Sequence, residues 1–386
     1  MPNVLPDFHP PAVEWSTVAP IVVVILAGIV GLIVEMARPK CSGSVISVIG
    51  LIGLGVAGFF AAQQLAMPTT ESFARMVITD RFGAVMQMLI LLSAALTLLF
   101  SESYLKDKHI SFGEFYPLIL WSAAGGMMMV TTKNLLMVFV GLEVLSIALY
   151  VLAGLSRNEA KSEESAIKYF LLGAFASGFL LYGIALLYGA SGSLHLDDIA
   201  RSWDGAVPSI AGLALMGLAM ALVGLGFKSA FVPFHQWTPD VYQGAPTNVT
   251  AFMAAGSKVA AIATLFRFLD ACAPMHAYWG PALFWIAIAT MTVGNLVALV
   301  QRDVKRILAY SSIAHAGYLL VGVLAQKGPT WSVHNDGTTG RRHLVSAYGA
   351  ISQDSLENRS RCDPIPVLRA CSPECTSGRN LRPPVQ

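Results

Sequence analysis

Residues 135–155 read LLMVFVGLEVLSIALYVLAGL. This run holds one charge, Glu143, and the nearest charges outside it are Lys133 and Arg157. About 20 mostly apolar residues are what an α-helix needs to cross the hydrocarbon core of a bilayer. Lipid offers the backbone no hydrogen-bond partners, so a spanning run of this composition must bond to itself as a helix. Moving outward, runs of similar length recur at 18–36, 45–64, 82–100, 115–131, 166–190, 208–231, 249–268, 279–300 and 304–325. The reading is an all-α polytopic membrane protein of about ten transmembrane helices.

Composition agrees. Of the 386 residues, 55% are hydrophobic and 12% charged, where a soluble domain carries roughly 25% charged residues. So little charge cannot cover a water-facing surface. The net charge of +2 supplies no field for nucleic acid. Cys41, Cys272, Cys362, Cys371 and Cys375 form no metal-ligand spacing or disulfide framework, so no metal is expected. Asp7 and Glu14, not basic residues, precede the first run, which predicts a retained span and not a cleaved leader.

Lys and Arg in the connections set orientation. With the N-terminus outside, the inner loops hold Arg38, Lys40, Lys106, Lys108, Arg157, Lys161, Arg302, Lys305 and Arg306. The outer loops and adjoining helix ends hold Arg75, Arg81, Lys133, Arg201 and Arg267, a bias of nine to five for N-out. Residues 328–386 differ in kind, with no Lys, seven Arg, three of the five Cys and no span-length apolar run. A soluble disordered tail and translation in a shifted frame after about Lys327 are the two readings of this change.

Some motifs mislead. Residues 53–58, GLGVAG, match a dinucleotide fingerprint, but they sit inside an apolar run with no preceding strand. Close helix packing is the expected use of these glycines. Asn248 begins a glycosylation sequon at what is, on the N-out topology, the cytoplasmic end of a span.

The informative residues are ionisable groups at membrane depth, where each costs about 2.5–3.5 kcal/mol on insertion scales. Glu143 lies near mid-span, and Lys258 is the only charge between Asp240 and Arg267. Lys228 ends a run without charge back to Asp204; Gly224 and Gly226 precede it and Pro233 follows. A proline there removes a backbone donor and breaks the helix, which is tolerated in a membrane only where the freed backbone lines protein or a cavity. Lys168 lies two positions into its span, where snorkelling rivals a role at depth. Lys305 and Arg306 read as interface anchors, while His235 and His315, near helix ends, are candidate proton relays. An apolar setting disfavours the charged form of an amine and a nearby carboxylate restores it; such a pair can load and release a proton. No nucleophile–base triad or metal cluster offers a rival chemistry.

Four stretches are similar to one known family: 141–146, GLEVLS; 168–178, KYFLLGAFASG; 227–247, FKSAFVPFHQWTPDVYQGAPT; and 303–318, DVKRILAYSSIAHAGY. Together they resemble the subunit N family of proton-pumping NADH:quinone oxidoreductase, respiratory complex I, over residues 13 to 326. The resemblance implies an antiporter-like bundle of inverted five-helix repeats with a broken seventh helix. It divides the chain into helices 1–3 (1–113), a first repeat of helices 4–8 (114–272), the start of an incomplete second repeat (273–327) and the tail (328–386). It implies a proton relay through Glu143, Lys228, Lys258 and Lys168, with His235, His315 and Lys305 as further candidates. It further implies an enzyme subunit that couples NADH oxidation and quinone reduction to proton pumping, with no redox centre of its own. NADH, FMN, iron–sulfur clusters and quinone then belong to partner membrane and peripheral subunits. The expected location is the inner cell membrane, with the lipid bilayer as surroundings and the N-terminus on the outer side. Two other readings stay open. One is a cation/proton antiporter subunit, which tends to have His where this chain has Lys258. The other is a truncated product that does not pump.

Overall fold

The apolar runs fold as helices because each must satisfy its own amides. The computed structural model describes residues 14–37, 43–108, 113–157, 159–203 and 207–325. The tail 328–386, and Arg38, Lys40 and Cys41, lie outside the described residues. In chain order the helices are α1 (Trp15–Ala37), α2 (Gly43–Gln64), α3 (Arg81–Asp107), α4 (Phe115–Val130), α5 (Leu135–Ala153), α6 (Ala160–Ser191), α7 (Leu196–Trp203), α8 (Pro208–Ser229), α9 (Trp237–Gly244), α10 (Thr247–Phe252), α11 (Lys258–Ala271), α12 (His276–Leu299) and α13 (Val304–Leu324). Among the described residues, nine helical segments are long and apolar enough to cross a membrane, α10 and α11 forming one of them. The remaining expected span, α4, is a shorter apolar helix of 16 residues. Almost all of α4 is buried, so protein neighbours and not lipid surround it.

Two spans run six or more residues past one end of their apolar runs. α6 begins at Ala160, six residues before the expected start at 166, through a polar turn holding Lys161, Glu163 and Glu164. α3 continues to Asp107, with Lys106 bonded to Glu102 at 2.6 Å one turn back. Hydropathy marks where lipid stops, not where helical hydrogen bonding stops. Caps fix other ends: the Asn134 side chain accepts from the amides of Leu136 and Met137, and Asp303 from those of Lys305 and Arg306.

The helices pack largely against sequence neighbours, α1 on α2, α2 on α3, α4 on α5 and α12 on α13. An important exception is α6, which packs on α8 across the short α7, while α9 also contacts α6 and α13. Large side chains such as Phe59, Phe100, Phe175 and Trp285 point outward, as a hydrocarbon solvent permits. The fingerprint-like glycines do not act as a set. At Gly53 a Cβ would lie 2.4 Å from the Cβ of Ala27, whereas Gly55 and Gly58 face open space. Only the first serves close helix packing.

One feature departs from the all-α expectation. Between α2 and α3, β1 (Thr70–Ser72) pairs antiparallel with β2 (Val77–Thr79) in a hairpin. Its turn holds Phe73, Ala74 and Arg75 at φ 53°, 52° and 65°. Three-residue strands leave no periodic signal in a sequence; tertiary bonds hold this hairpin in place. Ile78 donates its amide to the Thr131 carbonyl at 2.8 Å, and the Thr132 hydroxyl donates to the Met76 carbonyl at 2.5 Å.

Candidate proton-relay site

The break after α8 is built as the proline pattern demands. Ser229 ends the helix and Ala230 adopts the left-handed conformation at φ 63°, ψ 40°. The Phe231 amide donates to the Gly226 carbonyl and the Ala230 amide to that of Phe227, both at 3.0 Å. These two bonds are the Schellman closure of a helix C-terminus. Beyond it the chain runs through the cis Val232–Pro233 bond to α9. The opened backbone finds partners in neighbouring helices: Val232 donates to Thr290 Oγ1 at 3.0 Å, and Trp237 Nε1 donates to the Phe227 carbonyl at 2.9 Å. Gly224 sets α8 against α6, since a Cβ there would meet that of Leu180 at 2.6 Å.

Lys228 therefore sits one residue before a helix end inside the bundle, 3% exposed. Its Nζ donates to Ser146 Oγ at 2.8 Å and to the Tyr169 hydroxyl at 2.9 Å, and lies 5.3 Å from the Tyr169 ring centroid. Glu143 is not its direct partner: among the described residues no ion pair joins them. Glu143, Ser146 and Tyr150 fall at i, i+3 and i+7 on α5, one stripe of the helix, with Ser146 between the other two. Glu143 is half-buried, and its Oε1 is enclosed without a hydrogen-bond donor among the described residues. A cavity of about 10 Å³ touches Ser146, Tyr150, Ser177 and Lys228, about the room one water needs.

Lys258, 7% exposed, is placed by an irregularity that an apolar count cannot reveal. Residues Met253–Ser257, between α10 and α11, form a turn of π-helix, a local widening often found at functional sites. Lys258 follows it and donates to the Ser312 carbonyl at 2.7 Å and to Ser312 Oγ at 2.6 Å, both on α13. An aromatic wall starts at Tyr169, the partner of Lys228. The Tyr169 ring stacks on Trp237 at 4.7 Å, and Trp237 meets Tyr242 edge-on at 6.0 Å.

Lys168 does not join this interior. It lies nine residues into the longer α6, with its side chain 42% exposed, and pairs with Glu164 Oε1 at 2.7 Å and Asp240 Oδ2 at 2.9 Å. Asp240, on α9, also receives Arg306 from α13 at 2.9 Å. Partial burial opposes ionisation of Asp240, but the Lys168 and Arg306 contacts outweigh it and hold the carboxyl below its ordinary pKa. Lys305 caps α9, donating to the Ala245 carbonyl at 3.0 Å. One end of the bundle thus carries a polar clasp across α6, α9 and α13.

Residues 132–349 match the family described as NADH:quinone oxidoreductase/Mrp antiporter, TM. NADH-quinone oxidoreductase subunit N of Trichlorobacter lovleyi is 44% identical over 311 residues, covering 80% of this chain and 64% of that protein. Subunit N 2 of Roseiflexus castenholzii is 39% identical over 341 residues, covering 88% of this chain and 68% of that one. This chain belongs to the NADH-quinone oxidoreductase subunit N family. It spans about two thirds of the length of these subunit N relatives. A chain in the structure of respiratory complex I from Thermus thermophilus with bound aureothin superposes with a TM-score of 0.66 at 38% identity, covering 79% of this chain and 64% of that one.

In this subunit N family member the remaining candidates separate. His235 lies in the loop two residues before α9, and its Nδ1 is buried without a partner among the described residues. His315 stands mid-way along α13, exposed, with its ring against Tyr318 at 5.8 Å; it does not approach Lys258 as a hydrogen-bond partner. Asn248 is 7% exposed and donates to Ser101 Oγ at 2.9 Å, so its amide is not open to glycosylation. Sequence reasoning missed Ser146, Tyr169, Ser312 and Asp240. The first two carried weak signals, Ser146 one turn from Glu143 and Tyr169 beside Lys168. Ser312 and Asp240 become partners only when α13 and α9 are brought in.

Proposed function

We propose that this chain is a proton-translocating membrane subunit of an NADH:quinone oxidoreductase. The observation that carries this reading is Lys228: an amine buried at a helix break, held by two hydroxyls, one of them on Ser146 a turn of α5 from Glu143, and beside a water-sized cavity. A hydroxyl both accepts and donates, so Ser146 and Tyr169 can hold the proton on Lys228, and Ser146 can pass it to a water in the adjoining cavity. Lys258 offers a second station on Ser312. Lys168, Lys305 and Arg306 serve as the polar clasp at the bundle end, with access to the relay as their contribution. His235 is the remaining internal candidate and His315 a peripheral one.

On this reading the chain binds no redox group. NADH, FMN, iron–sulfur clusters and quinone are handled by partner membrane and peripheral subunits, and the chain takes its energy from their reaction through contacts in the inner membrane. The loop charges favour an outer N-terminus. Helices α4–α11, residues 114–272, form the first repeat and α12–α13 begin the second. The test is Lys228→Met in the assembled membrane complex. NADH-driven proton uptake should fall at unchanged assembly; uptake equal to the parent at equal assembly overturns the reading.

A further inference from the structure

At the bundle end opposite the Asp240 clasp, a second polar cluster plays no part in the relay. Glu71 on β1, His195 before α7 and Asp197 on α7 present ligand atoms within 4.8 Å of one another. His195 is fixed by its backbone, in an antiparallel bridge with Asn134 flanked by bonds from Leu196 to Lys133 and from Leu135 to Leu194. Its side chain is buried, with the residue 5% exposed, yet Nε2 has no hydrogen-bond partner among the described residues. That nitrogen is aimed at Glu71 Oε1, 3.8 Å away, while Nδ1 lies 3.9 Å from Asp197 Oδ2.

A cation already occupies part of this arrangement. The Arg75 guanidinium contacts Glu71 at 3.1 Å, Asp198 at 3.2 Å and His195 Nδ1 at 3.0 Å. Lys133 pairs with Asp197 at 3.0 Å, and Arg201 pairs with Asp198. Arg75 is 44% exposed on a hairpin turn and can swing into water. Arginine is always a donor, so its bond to Nδ1 leaves the imidazole proton on Nε2. Once Arg75 leaves, the tautomer can reverse: Nδ1–H turns to a carboxylate and Nε2 becomes a free lone pair facing Glu71. One imidazole nitrogen with carboxylate oxygens is a donor set for a divalent transition-metal ion such as Zn²⁺.

We propose that Glu71, His195 and Asp197 form a divalent-metal site gated by Arg75, in which the ion enters as the guanidinium leaves and ties the β1–β2 hairpin to α7. Binding requires a neutral ring.

The experiment titrates the purified full chain with Co²⁺ alone, following visible d–d absorption, and then displaces it with Zn²⁺. One Co²⁺ per chain is expected. Arg75→Gln should bind about tenfold tighter, the scale set by removing one partly solvated competing charge a few ångströms away. In the Arg75→Gln background, His195→Gln should abolish the absorption. Glu71, 31% exposed, gives a second variant, and Glu71→Gln should weaken binding where His195→Gln impairs folding. Absence of a stoichiometric site even in Arg75→Gln, or absorption that survives both ligand changes, overturns the proposal. A purely structural salt-bridge cluster would show Arg75→Gln with lower thermal stability and no gain in metal affinity.

Discussion

Removing the Tyr169 hydroxyl asks whether Lys228 is held as a charge or merely fills space. Tyr169 is fully buried, and its ring is fixed by stacking on Trp237 at 4.7 Å and 13°. Tyr169→Phe therefore deletes one hydrogen bond of 2.9 Å and little else, leaving Ser146 at 2.8 Å as the ammonium's partner. A hydrogen bond to a charged group contributes about 1.5–3 kcal/mol. With Lys228 3% exposed and one water-sized cavity beside it, water restores only part, which places the loss near 2 kcal/mol. Lys228→Met alone leaves two neutral hydroxyls that can turn elsewhere, at about 1 kcal/mol. Replacing both partners by apolar groups is nearly neutral, so the double variant should be more stable than the sum of the singles by about 3 kcal/mol. The assay is equilibrium unfolding of the purified chain in lipid nanodiscs, paired with proton uptake in the membrane complex. Stability should recover in the double variant while uptake stays lost. Coupling below about 0.5 kcal/mol, the level at which distant sites already add, would refute the view that these hydroxyls solvate a charge.

Lys258 is tested by its replacements: Arg almost never deprotonates, whereas His titrates near neutrality. A relay predicts Lys258→Arg and Lys258→Ala both poor in proton uptake and Lys258→His better than either at equal assembly; Arg at parental uptake would leave Lys258 a structural cation. Asp240→Asn removes a carboxylate shared by Lys168 and Arg306. Because these side chains are 29–42% exposed, the expected loss in unfolding experiments is about 0.5–1 kcal/mol. The Asp240 pKa is lowered in the folded state, so this stabilisation is full above the unfolded value of about 3.9 and is lost as pH falls through the folded one; equal acid sensitivity of parent and Asp240→Asn contradicts it. Ala230→Gly relieves a left-handed alanine and should stabilise the α8 end by about 0.5–1 kcal/mol, read as a higher unfolding midpoint; a lower midpoint would mean that the Ala230 methyl packing matters more than its backbone strain.

How much was legible follows from which forces act locally. The ten apolar helices and their approximate ends were readable because lipid acts on each segment alone: length and hydropathy suffice when every helix satisfies its own backbone. The α8 break was readable for the same reason, since Pro233 acts on its own neighbours. Glu143, Lys228 and Lys258 stood out because a charge in an apolar run has a cost that needs no partner to be noticed. What those charges touch was not readable. Ser146 came to Lys228 through α5, Tyr169 through α6 and Ser312 to Lys258 through α13, contacts made across 54 to 82 residues of sequence. Lys168 looked like a membrane lysine because the polar first turns of α6 leave no apolar signature, and α9 brought Asp240 to it. The π-turn before Lys258 and the hairpin carrying Glu71 and Arg75 exist through packing against other elements. Solvent preference is written residue by residue, so sequence alone determined where the chain crosses and which charges lie at depth. Partnership is set by the helix packing, and only the tertiary structure decided which hydroxyls and carboxylates those charges meet.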